Sequence, residues 1–120
     1  PWSAQDFADL LGKPGVFLIS ERAGFALGRT VLDEVELLTL AVAPGAQRSG
    51  SGTRLLAEFE HTAQNHGATR AFLEVAITNT AAKALYAGAG WRVDGVRAGY
   101  YRAKPAAIDA ALMSKALLIP

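Results

Sequence analysis

One carboxylate stands in the middle of an apolar stretch: Glu74, within A-F-L-E-V-A-I-T-N, residues 71–79. An ionised side chain left there without partners costs several kcal/mol, or its pKa rises until it is neutral. A carboxyl group that exchanges a proton near neutral pH is what general base catalysis asks for. The structural alternative is an ion pair with an arginine such as Arg29 or Arg70. A second stretch, Q-R-S-G-S-G-T at residues 47–53, lies just before an amphipathic segment. Glycines let backbone N–H groups turn toward one point, and a following helix start adds partial positive charge, so such a loop suits a pyrophosphate. It does not match the P-loop, which needs lysine where Ser51 stands, nor the dinucleotide fingerprint, which needs glycine where Leu55 stands. A glycine-rich connection that binds nothing is the other reading. His61 and His66, five residues apart and without any cysteine in the chain, do not have the spacing of a helical zinc pair and read as solvated surface, so no metal is expected.

The elements that would carry these residues follow from pattern. Ser3 with Asp6 three residues on is a short capping box for a brief helix bearing Phe7, Leu10 and Leu11, stopped by Gly12 and Pro14. G-V-F-L-I-S and G-F-A-L-G-R-T-V-L-D predict two strands of a hairpin turning through residues 21–24, and E-V-E-L-L-T-L-A-V-A a third that ends at Pro44 and Gly45. Leu55, Leu56, Phe59 and Ala63 set one face of a helix that begins near Gly52 and closes at Gly67. A strand over 70–77 places Glu74 on one face with Phe72 and Ala76, an apolar setting that predicts a raised pKa. Asn79 or Thr80 caps the next helix, with Ala82 and Leu85 inward. W-R-V-D-G-V-R, a turn region at 99–101 and an apolar run near 109–118 complete the chain. Three consecutive strands, then helix, strand, helix and two strands predict a mixed α/β sheet in a single domain spanning 1–120.

Bulk properties narrow the function classes. The 120 residues are 51% hydrophobic and 19% charged, with a net charge of +1, so no basic field points to nucleic acid or an anionic membrane. No apolar run reaches the length of a membrane span. The lack of cysteine excludes a thiol nucleophile and fits a reducing, cytoplasmic setting.

Taken with its neighbours, the glycine loop gains meaning. Gln47, Arg48, Ser49, Gly50, Ser51 and Gly52 follow a strand ending L-A-V-A-P and open an amphipathic helix. Further on stand L-E-V, then N-T-A-A-K-A-L-Y-A-G-A-G-W, then V-R-A-G-Y-Y. In this order the segments resemble the coenzyme A loop and second signature of the GNAT N-acetyltransferases, and most of all the ribosomal-protein-alanine (RimI-type) branch. The resemblance covers about residues 1–118. It implies the GNAT fold, a mixed, mostly antiparallel sheet flanked by helices, and acetyl-CoA as co-substrate. It further implies that the main chain of Leu40, Ala41 and Val42 pairs with the pantetheine arm like an added strand. The backbone of Arg48, Ser49, Gly50, Ser51, Gly52 and Thr53 would wrap the pyrophosphate. Glu74 would be the general base, with Glu36 able to share or replace it. Tyr86 would be the general acid for the departing thiolate, and Asn79 would bond the cofactor's arm or the loop. Taken alone, Asn79 also reads as a helix cap and Tyr86 as a core aromatic. Tyr100 and Tyr101 would line the acceptor side or staple a turn.

The acceptor implied is a protein or peptide N-terminus, a ribosomal protein among the candidates. An α-amine with a pKa of ~7.8 costs roughly 1 kcal/mol to deprotonate at pH 7, a lysine of ~10.4 roughly 4.6 kcal/mol. A single carboxylate suits the first task better. Family members carry a further strand and helix before the segment matching P-W-S-A-Q-D-F, so the chain reads as N-terminally short, with a bare sheet edge and less wall over the acceptor. A CoA-binding module with impaired catalysis and an acetyltransferase of small-molecule amines are the alternatives.

Overall fold

The computed structural model describes residues 3–47, 50–101 and 108–117. Helix α1 (Ala4–Leu11) starts as its sequence requires: the Ser3 hydroxyl accepts from the Asp6 N–H at 3.1 Å, and the Asp6 carboxylate accepts from the Ser3 N–H at 3.0 Å. That backbone bond first, and the hydroxyl second, hold the Asp6 carboxyl below the usual carboxylate range. Strands β1 (Val16–Glu21), β2 (Gly24–Val31) and β3 (Glu34–Val42) form an antiparallel meander. A single turn of 3-10 helix at Pro44–Ala46 leads toward α2 (Ser51–Asn65). Strand β4 (Arg70–Ala76), helix α3 (Thr80–Gly88) and strands β5 (Arg92–Tyr101) and β6 (Ile108–Ala116) follow. The expected element order is what the chain adopts.

The six strands run β1-β2-β3-β4-β6-β5. Only β3 and β4 pair in parallel, because the α2 crossover brings the chain back to the same end of the sheet. The sheet is therefore mixed and mostly antiparallel, with β1 and β5 at its edges.

Alternation decides which face each helix covers. Phe17 and Ile19 of β1 point to the face where Phe59 of α2 stacks on Phe17 at 5.8 Å between ring centroids. Phe25 lies across from Ser20, of opposite parity, and meets Phe7 of α1 edge-on at 5.4 Å. So α1 lies on one face, and α2 and α3 share the other. The four apolar positions of α2 foreseen from their spacing, Leu55, Leu56, Phe59 and Ala63, are all buried there, with Val35, Leu37, Leu73 and Met113 among their neighbours in the core.

The C-terminal part differs from expectation at one place. Residues 99–101 are not a turn region: β5 runs through them to Tyr101. Gly99 takes a left-handed φ of 63°, its N–H bonds the Asp109 carboxylate at 2.8 Å, and the β5–β6 register breaks between Arg97 and Tyr101. Glycine at positive φ bends the strand without reversing it.

Candidate active site

The site begins where the sheet stops pairing. β3 and β4 share a ladder only from Glu34 opposite Arg70 to Glu36 opposite Phe72. Beyond it, residues 37–42 of β3 and 73–76 of β4 have no register with each other. A bulge marks the divergence: Thr39 pairs with Leu27 and Leu37 with Gly28, so Leu38 is the extra residue. Bulges bend a strand and end pairing locally, and this one turns β3 away from β4.

Two cavities fill the resulting wedge. One, of about 420 Å³, lies between the end of β3, the glycine loop and α3, and is lined by Leu40, Val42, Gln47, Gly50, Gly52 and Thr53 among others. The second, of about 410 Å³, lies between the parted strands and is lined by Thr39, Leu73, Glu74, Ala76, Thr78 and Ile108 among others. Leu40, Asn79, Ala82 and Tyr86 line both. The two volumes meet at those four residues.

The first cavity takes its shape from backbone. Gly50 caps α2 with φ 87° and ψ 0°, a left-handed conformation in which glycine carries no penalty, and no side chain caps the helix there. The first-turn amides of a helix have no carbonyl partner within it, so those of residues 51–53 supply donors and the positive end of the dipole. Gly52 serves close approach: a Cβ there would lie 3.2 Å from Leu85 Cδ2, tighter than an ordinary contact between α2 and α3. Ser51 is buried, and its Oγ accepts from Arg54 Nη2 at 3.0 Å. That gives the serine a structural task. Ala41, unlike Leu40 and Val42, is exposed and lines neither cavity with its side chain. Arg48 and Ser49, expected to wrap phosphate, lie outside the described residues.

Along β4, Ala71, Leu73 and Val75 are buried under α2 and α3, while Phe72, Glu74 and Ala76 turn to the other face. The face foreseen for Glu74 is correct, but its setting is not purely apolar. Arg97 Nη1 stands 3.2 and 3.4 Å from the two carboxylate oxygens. The partner is neither Arg29, which bonds Glu36 at 2.8 Å, nor Arg70, which bonds Glu34 at 3.2 Å. The reason is topological. β6 lies between β4 and β5, and its pairings bring Arg97, beside Ala110, within reach of Glu74, beside Leu112. Arg97 belongs to the V-R-A-G-Y-Y segment, but spacing along a chain does not say which strands become neighbours.

Glu36 is separated from this arrangement. It opens, with Arg29, Leu32 and Phe72, on a smaller cavity of about 160 Å³ at the paired end of the strands. Asn79 is the helix cap expected of it: its side-chain oxygen accepts from the Ala82 N–H at 3.1 Å, and the residue also borders both large cavities. The cap uses the oxygen, so the amide nitrogen is the donor it has for a ligand. Tyr86 is likewise a core aromatic, 7% exposed and 5.9 Å from the Trp91 ring, and a wall of both cavities. The side chains of Tyr100 and Tyr101 lie outside what is described. His61 is exposed as expected; His66, also exposed, sets its ring edge-on to Phe17 at 5.0 Å. Among the described residues no three His, Cys, Asp or Glu side chains cluster as a metal site would require, and no helix is long and apolar enough to cross a membrane.

Chemically, the arrangement offers a backbone-built anion pocket, an apolar passage and, at the far end, a carboxylate and a phenol approaching one gap from opposite faces of the sheet. The family model described as Acetyltransferase (GNAT) family matches residues 3–91. A [ribosomal protein bS18]-alanine N-acetyltransferase of Escherichia coli strain K12 is 35% identical over 118 residues, covering 95% of this chain and 80% of the relative. An N-alpha-acetyltransferase RimI of Mycobacterium tuberculosis is 36% identical over 111 residues, covering 85% and 68%. The crystal structure of the ribosomal-protein-S18-alanine N-acetyltransferase from Escherichia coli superposes with a TM-score of 0.86 at 31% identity, covering 100% of this chain and 80% of that one.

Proposed function

Because this chain belongs to the acetyltransferase (GNAT) family, we propose that it moves the acetyl group of acetyl-CoA to the N-terminal α-amine of a protein. The observation that carries this reading is the meeting of two cavities at Leu40, Asn79, Ala82 and Tyr86. One is built for an anion and an extended arm, and the other contains a carboxylate.

In this reading the backbone of residues 48–53 takes the diphosphate. The edge of β3 at Leu40, Ala41 and Val42, released from β4, gives main-chain hydrogen bonds to the amide-bearing arm. Asn79 holds the arm where the cavities join. The acceptor enters between the parted strands, where Glu74, directly or through one water, takes the proton lost as the amine attacks the thioester carbonyl. Tyr86 donates a proton to the departing thiolate, so the products are an amide and free CoA. Arg97 fixes the Glu74 carboxylate at the mouth.

An N-terminal acceptor fits the cost of deprotonation better than a lysine does, roughly 1 kcal/mol for an α-amine at pH 7 against roughly 4.6. It also accords with the Escherichia coli and Mycobacterium tuberculosis relatives, whose names specify ribosomal protein alanine and α-amine acetylation. A ribosomal protein is accordingly the first acceptor to try, and a cytoplasmic setting goes with it. The test is release of free CoA from acetyl-CoA with peptides that vary in their first residue. An alanine-initiated peptide is expected to release it. If acetyl-CoA raises the melting temperature but no peptide or small amine releases CoA, the chain is a binding module. Release with small amines alone would replace the protein acceptor.

A further inference from the structure

A cluster outside both cavities closes on the helix that carries Tyr86. α3 has no basic residue in its last turn, where a cation would favour the negative end of its dipole. The cation comes from another element: Lys115 of β6 donates from Nζ to the Ala89 carbonyl at 2.7 Å, at the helix C-cap. The same Nζ reaches Glu60 Oε1 of α2 at 2.6 Å. The second oxygen of Glu60 accepts from Trp91 Nε1 at 3.1 Å. Trp91 in turn packs on the Tyr86 ring, and its backbone N–H bonds the Tyr86 carbonyl at 3.0 Å. Both oxygens of one carboxylate thus tie β6 and the Trp91 indole to α2, and each tie ends on the last turns of α3.

We infer that Glu60, Lys115 and Trp91 act as a positioning clamp for Tyr86, fixing the distance of its hydroxyl from the junction of the two cavities. The inference rests on the reading of Tyr86 as the proton donor. A structural network needs only its groups satisfied. This one ties α2 to the C-terminal end of α3, about one turn beyond Tyr86, so its loss frees the segment that carries the hydroxyl. The Lys115 and Glu60 side chains are 28% and 14% exposed, so removing one leaves its partner's charge only partly solvated. A group misplaced by about 1 Å costs up to ~10²-fold in rate.

The test is a double-mutant cycle with Tyr86→Phe. Trp91→Phe removes the indole N–H and keeps an aromatic ring; Glu60→Gln weakens both ties. Each is expected to lower kcat about tenfold at saturating substrates with acetyl-CoA affinity unchanged, well inside the range a small misplacement produces. Built on Tyr86→Phe, each is expected to cost less than about twofold, since no donor remains to be positioned. Equal costs with and without the Tyr86 hydroxyl, or a lowered melting temperature with normal kcat, overturn the clamp. Should Glu60→Gln not fold, Trp91→Phe decides alone. Normal turnover in Tyr86→Phe itself removes the donor and the clamp together. Slow turnover in Tyr86→Phe with additive costs removes only the clamp.

Discussion

The two ends of the β3–β4 interface follow opposite rules. At the paired end, between Glu34 and Glu36, the strands hydrogen-bond in register and their charges find neighbours: Arg29 with Glu36, Arg70 with Glu34. At the parted end the same strands give up their mutual hydrogen bonds, and the cavity between them joins a second one between the end of β3, the glycine loop and α3. Each end carries a glutamate on β3 or β4 with an arginine partner. Position relative to the break in pairing, and not residue type, separates the candidate base Glu74 from Glu36. The parted end leaves main-chain groups of β3 unpaired with β4.

Substitutions can break this contrast or sharpen it. The largest effects are expected at the parted end: Glu74→Gln and Tyr86→Phe should each lower turnover by roughly 10²-fold or more, the usual size for acid–base groups, with acetyl-CoA binding by calorimetry largely retained. Near-normal turnover in both would deprive the parted end of its chemistry. Next comes Gly52→Ala. Its new methyl would lie 3.2 Å from Leu85 Cδ2, so that side chain must give by a few tenths of an ångström at the cavity wall. Weaker acetyl-CoA binding by calorimetry is expected, with stability by urea titration changed by under about 1 kcal/mol, since the gain in helix propensity offsets the crowding.

At the paired end effects should be small. Glu36→Gln should leave turnover within about twofold of the parent, and removal of its part-exposed pair with Arg29 should cost under about 1 kcal/mol. A large kinetic loss there would show the base role to be shared and the contrast to be false. The smallest effect is a pH dependence. Asp94 approaches Arg70 at 3.8 Å, and its carboxyl lies below the usual range, first because the buried Ser114 hydroxyl bonds it and then through Arg92 and Arg70. A carboxyl depressed in the folded state stabilises it above the ordinary value of ~3.9, and that contribution disappears as pH falls through the folded value. Asp94→Asn should therefore be slightly less stable at pH 7. Urea midpoints should converge with the parent as pH falls below ~3.9 and coincide below the depressed value.

How much of this was legible beforehand depends on whether the information was local. The Ser3–Asp6 capping box, the α2 core stripe and the Asn79 cap are each set by residues three or four apart, and each forms as read. The alternation that puts Glu74 opposite Leu73 and Val75 is equally local. The family likeness rested on short motifs of this kind, which is why the fold followed from it. An arginine beside Glu74 is one of the readings its strand allows, but which arginine is not local information: Arg97 reaches it across β6, and strand order is a property of the whole sheet. The 99–101 segment was misread as a turn because one glycine at positive φ bends a strand as readily as it ends one.

The sequence by itself determined the elements, their order and the chemical types available: an uncapped glycine turn before a helix, one carboxylate in an apolar strand, a tyrosine two helical turns beyond an asparagine. These follow from backbone sterics and from hydrophobic period, both of which act over a few residues. Only the tertiary structure decided which groups share a space. The Leu38 bulge that parts β3 from β4, the arginine beside Glu74 and the Glu60–Lys115–Trp91 tie behind Tyr86 all join residues far apart in the chain. Such contacts arise because packing the apolar faces of α2 and α3 onto one sheet leaves each polar group a single set of neighbours.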